Sequence, residues 1–203
     1  MQPLPRAFYD RNALRVAPEL IGCLLVRQLE GRTLCARIVE TEAYLGPHDL
    51  ACHARVGRTP RTEVMFGEPG RAYVYLVYGL HHLLNAVCGP GGDANAVLVR
   101  AAEPCGPGKL LHSATGPGNV TTALDVDLRH NRLDLCDPSS PLFIAPRTGP
   151  KPRLWRGPRV GVDYAGPRWA QASLRFCDQD SRLLSRPRPP QAPARATPRR
   201  RAR

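Results

Sequence analysis

A chain of 203 residues with 42% hydrophobic content is long enough for one domain with a full core. Twenty-nine basic against seventeen acidic side chains leave a formal net charge of +12, which asks for an anionic partner, nucleic acid ahead of acidic membrane. No apolar run approaches the ~20 residues of a membrane span, the N-terminus lacks a signal-peptide core, and the seven cysteines show no Cys-x-x-Cys spacing. Neither a disulfide framework nor a zinc cluster is expected, and the plain expectation is a cytoplasmic protein, nucleoid-associated if bacterial, with no metal and no cofactor.

In chain order, residues 1–29 read as an arm, a short helix near 18–22, and an apolar strand through Leu24, Leu25 and Val26. Glu30-Gly31-Arg32 makes a turn, and 34–43 returns as a second strand, so the two form a hairpin. Within Arg37-Ile38-Val39-Glu40-Thr41-Glu42-Ala43-Tyr44-Leu45 the apolar start gives way to Glu40, Glu42 and Tyr44 at alternate positions, which a strand presents on one face. Solvated acids at a polar strand edge would give the same spacing. In a strongly basic chain, however, a carboxylate kept in a cleft points to chemistry.

Gly46-Pro47-His48-Asp49 is loop chemistry and a plausible helix start, and Cys52-His53 is at most half of a metal site. Arg55, Arg58 and Arg61 then lie among Gly and Pro in a basic loop. Tyr73-Val-Tyr75-Leu-Val-Tyr78 is strongly β-prone, Gly79 breaks it, and 83–87 returns as a strand. Tyr73 and Tyr75 share a face, whereas Tyr78 falls at the turn, where an aromatic is a candidate wedge or stacking group.

Residues 96–102 form an apolar strand interrupted by Arg100, which needs an acid or a phosphate if it is buried. Gly106-Pro-Gly-Lys109 lacks the outer residues of a phosphate loop. Gly116-Pro-Gly-Asn119 leads into a short helical turn over 120–124. Residues 142–145 and 159–163 read as two further short strands, and 174–176 closes the folded body. Residues 186–203 hold seven arginines, five prolines and no acid, a composition that predicts a disordered basic tail after a domain spanning 1–185.

With these pieces placed, the sequence resembles the alkyladenine (3-methyladenine) DNA glycosylase family. The resemblance rests on residues 37–47, Thr59-Pro60-Arg61, Met65-Phe66, Tyr73-Val-Tyr-Leu-Val-Tyr-Gly79 and Asn85. It continues through 97–101, Glu103-Pro104, Gly116-Pro117-Gly118 and 159–162, in family order over roughly residues 7–176. It implies a single α+β domain: a curved antiparallel sheet with flanking helices and a protruding β-hairpin that intercalates into DNA from the minor groove. It also implies a monofunctional enzyme of base excision repair that flips alkylated purines out of double-stranded DNA and removes them. A monomer is the default expectation.

Carried over by position, Glu42 is the general base, and Arg100 with the Val162 backbone helps hold the attacking water. Tyr44, His53, Tyr75 and Asn85 line the base pocket, and Tyr78 fills the gap left in the duplex. Arg58, Thr59, Arg61 and Gly118 are the candidate DNA-backbone contacts. Asn119 departs from the pattern by standing where the family places a lysine. Two readings compete with this one. A non-catalytic nucleic-acid-binding module explains the charge and the tyrosines but not Glu42, while a nucleoside hydrolase explains the acid but not the basic tail. A lyase mechanism needs an amine nucleophile, and Lys109 and Lys151 fall outside the site motifs.

Overall fold

A computed structural model describes residues 1–106, 108 and 110–190. The N-terminal arm leads through one short turn, α1 (Arg6–Tyr9), into α2 (Ala13–Leu20). Asn12 caps α2 by accepting from the Leu14 N–H at 2.9 Å. Ala13, Val16, Ala17 and Leu20 fall at helical spacing and are all buried. The helix expected near 18–22 therefore begins five residues earlier. The capped amphipathic stripe sets its start, and Pro18 is carried inside it.

Eight antiparallel strands follow among the described residues: β1 (Leu24–Leu29), β2 (Arg32–Leu45), β3 (Ala72–Val77), β4 (His81–Cys88), β5 (Asn95–Pro104), β6 (Leu142–Ala145), β7 (Leu154–Gly157) and β8 (Arg175–Asp178). They form one curled sheet in the order β3-β4-β5-β2-β1-β6, with β7 and β8 branching from β2. The branch follows from the length of β2. Its first half pairs with β1, as in Leu24↔Arg37, and its second half with β8, as in Glu40↔Cys177, while β5 runs along the opposite edge from Ala36 to Leu45. Two short helices, α3 (Pro117–Ala123) and α4 (Pro167–Ala170), complete the α+β domain. No helix among the described residues is long and apolar enough to cross a membrane.

The β2–β5 ladder is irregular at one place. Its register runs Ile38↔Ala102, Glu40↔Ala101, Thr41↔Val99, so Val39 is skipped on one strand and Arg100 on the other. Opposed bulges of this kind bend the sheet and re-aim side chains. One face of the sheet buries the main core, in which Ile38, Val97 and Val99 meet Tyr9, Leu20 and Phe176. A second, smaller cluster gathers Tyr73, Val87, Ala96 and Met65 beneath the loops that follow β2.

Two further sequence expectations change. Residues 159–163 are not a strand: β7 ends at Gly157, the chain bends at Gly161 with φ +73°, and a 3₁₀ turn begins at Asp163. The backbone donor at Val160 is spent on a side chain instead of a ladder, as described below. Nor does the folded body close at 174–176. Leu184 and Ser185 are buried, and the described chain continues along the surface to Pro190. Residues 191–203 of the basic tail lie outside the described residues.

Candidate active site

The bulge places three acid–base groups together. Glu40 and Glu42 are both 0% exposed, and Arg100 between them is 6% exposed. The Arg100 Nε donates to Glu40 Oε1 at 3.0 Å and its Nη1 to Glu42 Oε2 at 3.3 Å. Glu40 is the more heavily bound of the two acids. It also accepts from Arg175 Nε at 2.8 Å, from the Ser185 N–H at 2.6 Å and from the Ser185 hydroxyl at 2.7 Å. Two carboxylates and two guanidiniums make this buried network neutral overall. Neutrality and dense hydrogen bonding are what allow charges to sit inside a sheet.

Glu42 has lighter company. Its Oε1 accepts the Val160 N–H at 2.8 Å, and its Oε2 accepts the Tyr44 hydroxyl at 3.0 Å beside Arg100. The loop that brings Val160 there is anchored by a second buried pair. Arg159 donates to both Asp49 oxygens at 2.6 and 2.9 Å and to the Ala43 carbonyl at 2.9 Å. Asp49 in turn accepts from the backbone of Leu45 and Ala51. One ion pair thus fixes the end of β2, the following loop and the Val160 donor together.

Tyr44, Arg100 and Val160 line the wall of a cavity of about 300 Å³, which sets the carboxylate of Glu42 directly behind that wall. The volume suits one small planar ligand. Rings dominate the lining. His53 stands edge-on to Tyr75 at 4.5 Å between centroids, and Tyr75 lies 5.1 Å from Tyr73. The His53 Nδ1 shares a 2.9 Å hydrogen bond with the Tyr73 hydroxyl. Burial, then Arg61 and Arg55, push the His53 imidazole down to about 4, so it is neutral at neutral pH. Burial raises both Tyr73, to about 12, and Tyr75, so these phenols stay protonated. Asn85 reaches the same cavity from β4, with its amide donating to the Tyr73 carbonyl at 3.1 Å.

At the mouth of the cavity is the turn joining β3 to β4. Tyr78 and Gly79 have φ of +52° and +69°, and the Leu80 N–H closes the turn on the Val77 carbonyl at 3.0 Å. Successive positive φ values are the pattern of a tight hairpin turn, normally filled by Asn-Gly. A tyrosine in that conformation is uncommon. Its side chain is 92% exposed and Leu80 is 76% exposed, so two large apolar groups stand in solvent at one hairpin tip.

A model of the family described as methylpurine-DNA glycosylase (MPG) matches residues 7–182. The chain belongs to the methylpurine-DNA glycosylase family. A Myxococcus xanthus protein named "Putative 3-methyladenine DNA glycosylase" is 51% identical over 94% of this chain and 97% of its own length. Relatives of the same name from Legionella pneumophila (strain Lens) and Methanocella arvoryzae are 45% and 43% identical, over 92% and 93% of this chain and 100% and 98% of their own lengths. The protein is thus a monofunctional DNA glycosylase, a base-excision-repair hydrolase.

In this methylpurine-DNA glycosylase the residues singled out from sequence converge only in part. Tyr44, His53, Tyr75, Tyr78, Asn85, Arg100 and Val162 all line the one cavity, with Glu42 against its wall. Val162 contributes a buried side chain and accepts from the Ala165 N–H, while the backbone donor on Glu42 belongs to Val160. Arg61 stacks over the Tyr75 ring at 5.2 Å, which ties this candidate phosphate contact to the pocket. Arg58 instead covers Phe66 at 4.9 Å, and Thr59 is knitted to Thr62 by reciprocal hydrogen bonds. Gly118 packs so closely on His81 that a Cβ would meet that ring at 3.1 Å. Asn119 turns back to the Thr115 carbonyl at 2.7 Å.

Sequence reasoning missed Asp49, Arg159, Val160, Arg175 and Ser185 as parts of the site. The signal for Arg175 was present, since it stands between Leu174 and Phe176 and interrupts an apolar stretch as Arg100 does. Among the described residues no group of three or more His, Cys, Asp or Glu side chains stands close enough to hold a metal ion.

Proposed function

We propose that this glycosylase extrudes alkylated purines such as 3-methyladenine and 7-methylguanine from duplex DNA into the ring-lined cavity and hydrolyses their N-glycosidic bond, with Glu42 as general base. The observation that carries this reading is the Glu42 carboxylate, held by Val160, Tyr44 and Arg100 at the cavity wall. Cleavage develops an oxocarbenium-like sugar, and a fixed carboxylate both favours that cation and takes the proton of the attacking water. Arg100 and the backbone at Val162 orient the water. The Arg100 guanidinium pairs with Glu42 and is itself held by Glu40 and Ser185, so those two residues position it without touching substrate.

Extrusion costs a few kcal/mol, least for a damaged base. Tyr78 offsets part of that cost by filling the vacated stack from the minor-groove side, as its exposure at the hairpin tip allows. An alkylated purine is cationic, and the faces of Tyr44 and Tyr75 attract it. A neutral His53 adds no opposing charge. The same neutral imidazole is a poor proton donor at neutral pH. Hypoxanthine and ethenoadenine, which leave more readily when protonated, are therefore slower substrates. Each chain carries a whole site, so one copy is enough, and Arg58, Thr59 and Arg61 lie on the loop beside the pocket where the DNA backbone would pass.

The test is to incubate the protein with duplexes that each hold one modified purine and to measure free base and abasic sites. Release of cationic lesions ahead of neutral ones is expected. Binding without base release would leave the protein a nucleic-acid-binding module, and release from free nucleosides alone would make it a nucleoside hydrolase.

A further inference from the structure

The β2–β5 ladder ends with Ala36 opposite Pro104. One residue beyond, Cys35 faces Cys105, whose N–H donates to the Cys35 carbonyl at 3.0 Å. The two sulfurs are 2.7 Å apart and both are free thiols. Cys23, Cys52 and Cys88, by contrast, direct their thiols at backbone carbonyls. Opposed residues of an antiparallel pair have Cα atoms about 4.5–5.5 Å apart, inside the ~4.4–6.8 Å that a disulfide spans. Bonding the two sulfurs therefore requires no movement of either strand.

The surroundings give the two thiols different roles. Cys35 is buried, whereas Cys105 is half-buried on an open groove shared with Gly106, Leu110, Leu111 and His112. The contact between the two sulfurs, with the nearby Arg37 charge, holds the Cys105 thiol below its ordinary range against the effect of burial. The same contact, then burial, pushes the Cys35 thiol up. Cys105 is the accessible nucleophile and Cys35 the thiol behind it.

We propose that Cys35 and Cys105 form a peroxide-responsive pair that closes to an intramolecular disulfide between β2 and β5. The Cys105 thiolate attacks one oxygen of hydrogen peroxide, the O–O bond breaks, and hydroxide leaves to take up the proton that Cys105 had lost. The Cys35 sulfur then attacks the resulting sulfenic acid, the S–O bond breaks, and the hydroxyl leaves with the Cys35 proton as water. Two thiols lose two electrons and one peroxide becomes two waters. Glu42 lies seven residues along β2 from Cys35, about 23 Å by strand rise. The bond therefore staples the two strands that carry Glu42 and Arg100 without reaching the cavity. Because it closes the long loop 35–105, it restricts the unfolded chain.

The test uses the full chain, reduced, desalted and exposed to a small excess of hydrogen peroxide, then alkylated and mapped as peptides without reduction. The expected result is a peptide linking Cys35 to Cys105, reversed by dithiothreitol, with a thermal midpoint several degrees higher in the oxidised protein. Cys35→Ser should stop at a sulfenic acid on Cys105 that dimedone traps. Wild-type protein in which Cys105 stays reduced, or runs on to sulfinic acid with Cys35 free, would overturn the proposal, as would a disulfide at other cysteines. A linked peptide with an unchanged midpoint would overturn the stapling role. The mapping reads the wild-type chain, so it decides the matter even if the serine variant fails to fold.

Discussion

Replacing Glu42 by Gln keeps the size of the side chain and removes one charge, and the structure says what that charge holds. A Gln carbonyl can still accept the Val160 N–H at 2.8 Å, and the Tyr44 hydroxyl can turn to accept instead of donate. Only the 3.3 Å contact from Arg100 has no substitute, because it would face an amide N–H. Losing that charge-assisted bond costs about 1.5–3 kcal/mol of stability. The catalytic cost is larger. Loss of a general base is worth ~10²–10⁴ in rate, about 2.7–5.5 kcal/mol of barrier, with the electrostatic loss in addition. Lesion-DNA affinity should stay the same or improve, since a carboxylate has left a site that faces phosphates.

Glu40→Gln is the informative companion, and it is not an inert control. Glu40 Oε1 takes two guanidiniums and a hydroxyl while Oε2 takes the Ser185 N–H, so a Gln amide in either orientation meets donors. Two guanidiniums are then left to share the single charge of Glu42. Removing one partner from a buried ion network costs about 3–5 kcal/mol, which is roughly 6–20 °C of thermal midpoint for a domain of this size. Denaturant unfolding and single-turnover excision at saturating enzyme separate the two variants. Glu42→Gln should be modestly less stable than wild type and almost inactive, and Glu40→Gln markedly less stable, because Arg100 keeps its Glu40 partner in the first and Arg175 loses its carboxylate in the second. A folded, DNA-binding Glu42→Gln protein that still releases base at near wild-type rate refutes the general-base assignment. An unchanged unfolding midpoint for Glu40→Gln refutes the account of the network.

Tyr78→Asn puts a residue suited to positive φ at the hairpin tip, so it should leave stability unchanged or raise it by up to ~1 kcal/mol while slowing excision from duplex DNA; an equal loss on unpaired lesions would assign Tyr78 to the pocket instead. A chain ending at Ser185 should keep its single-turnover rate and lose part of the salt dependence of DNA binding, because the segment removed carries seven arginines and no acid, whereas a chain ending at Arg182 should lose activity with Leu184 and Ser185; equal activity of the two would remove Ser185 from the site. His53 binds a proton near 6.5 when unfolded but near 4 when folded, so between those values the unfolded state holds more protons and stability falls as pH falls, by up to about 3 kcal/mol; His53→Asn should abolish that part of the acid lability, and an unchanged pH–stability profile would refute the depressed value.

Much of the sheet was legible because its signals are local. The runs before and after Gly31 and Gly79 alternate or branch as strands do, and the two hairpins followed from them. The period of two also put Glu40, Glu42 and Tyr44 on one face, and the shared contact of both acids with Arg100 agrees with that. Residues 159–163 misled for the same reason. Val160 and Val162 alternate as in a strand, yet burial of Arg159 on Asp49 and the positive φ of Gly161 bend the chain away from any ladder. A backbone donor such as the Val160 N–H carries no sequence signature at all. Ser185 borders a segment of arginine and proline, whose composition hides it, and only tertiary packing brings it to Glu40.

The place of the acids in the sheet explains why so many partners were needed. At Glu40–Glu42, β2 is hydrogen-bonded on both edges, to β5 and to β8, so these side chains emerge from the interior of the sheet. Bulk solvent does not surround the carboxylates there, and the protein has to supply most of the hydrogen bonds that solvent would give. It does so from the two flanking strands: Arg100 is the residue skipped in the β5 register, free to aim at both acids, and Arg175 comes from the strand paired on the other edge. Well-packed apolar residues in these positions would fold with no loss of stability. What they would not provide is a carboxylate held rigidly before the reacting sugar arrives, with no solvent reorganisation left to be done when charge develops. The bulge and its ion network are thus expensive as architecture, and they are intelligible only as preorganisation of Glu42.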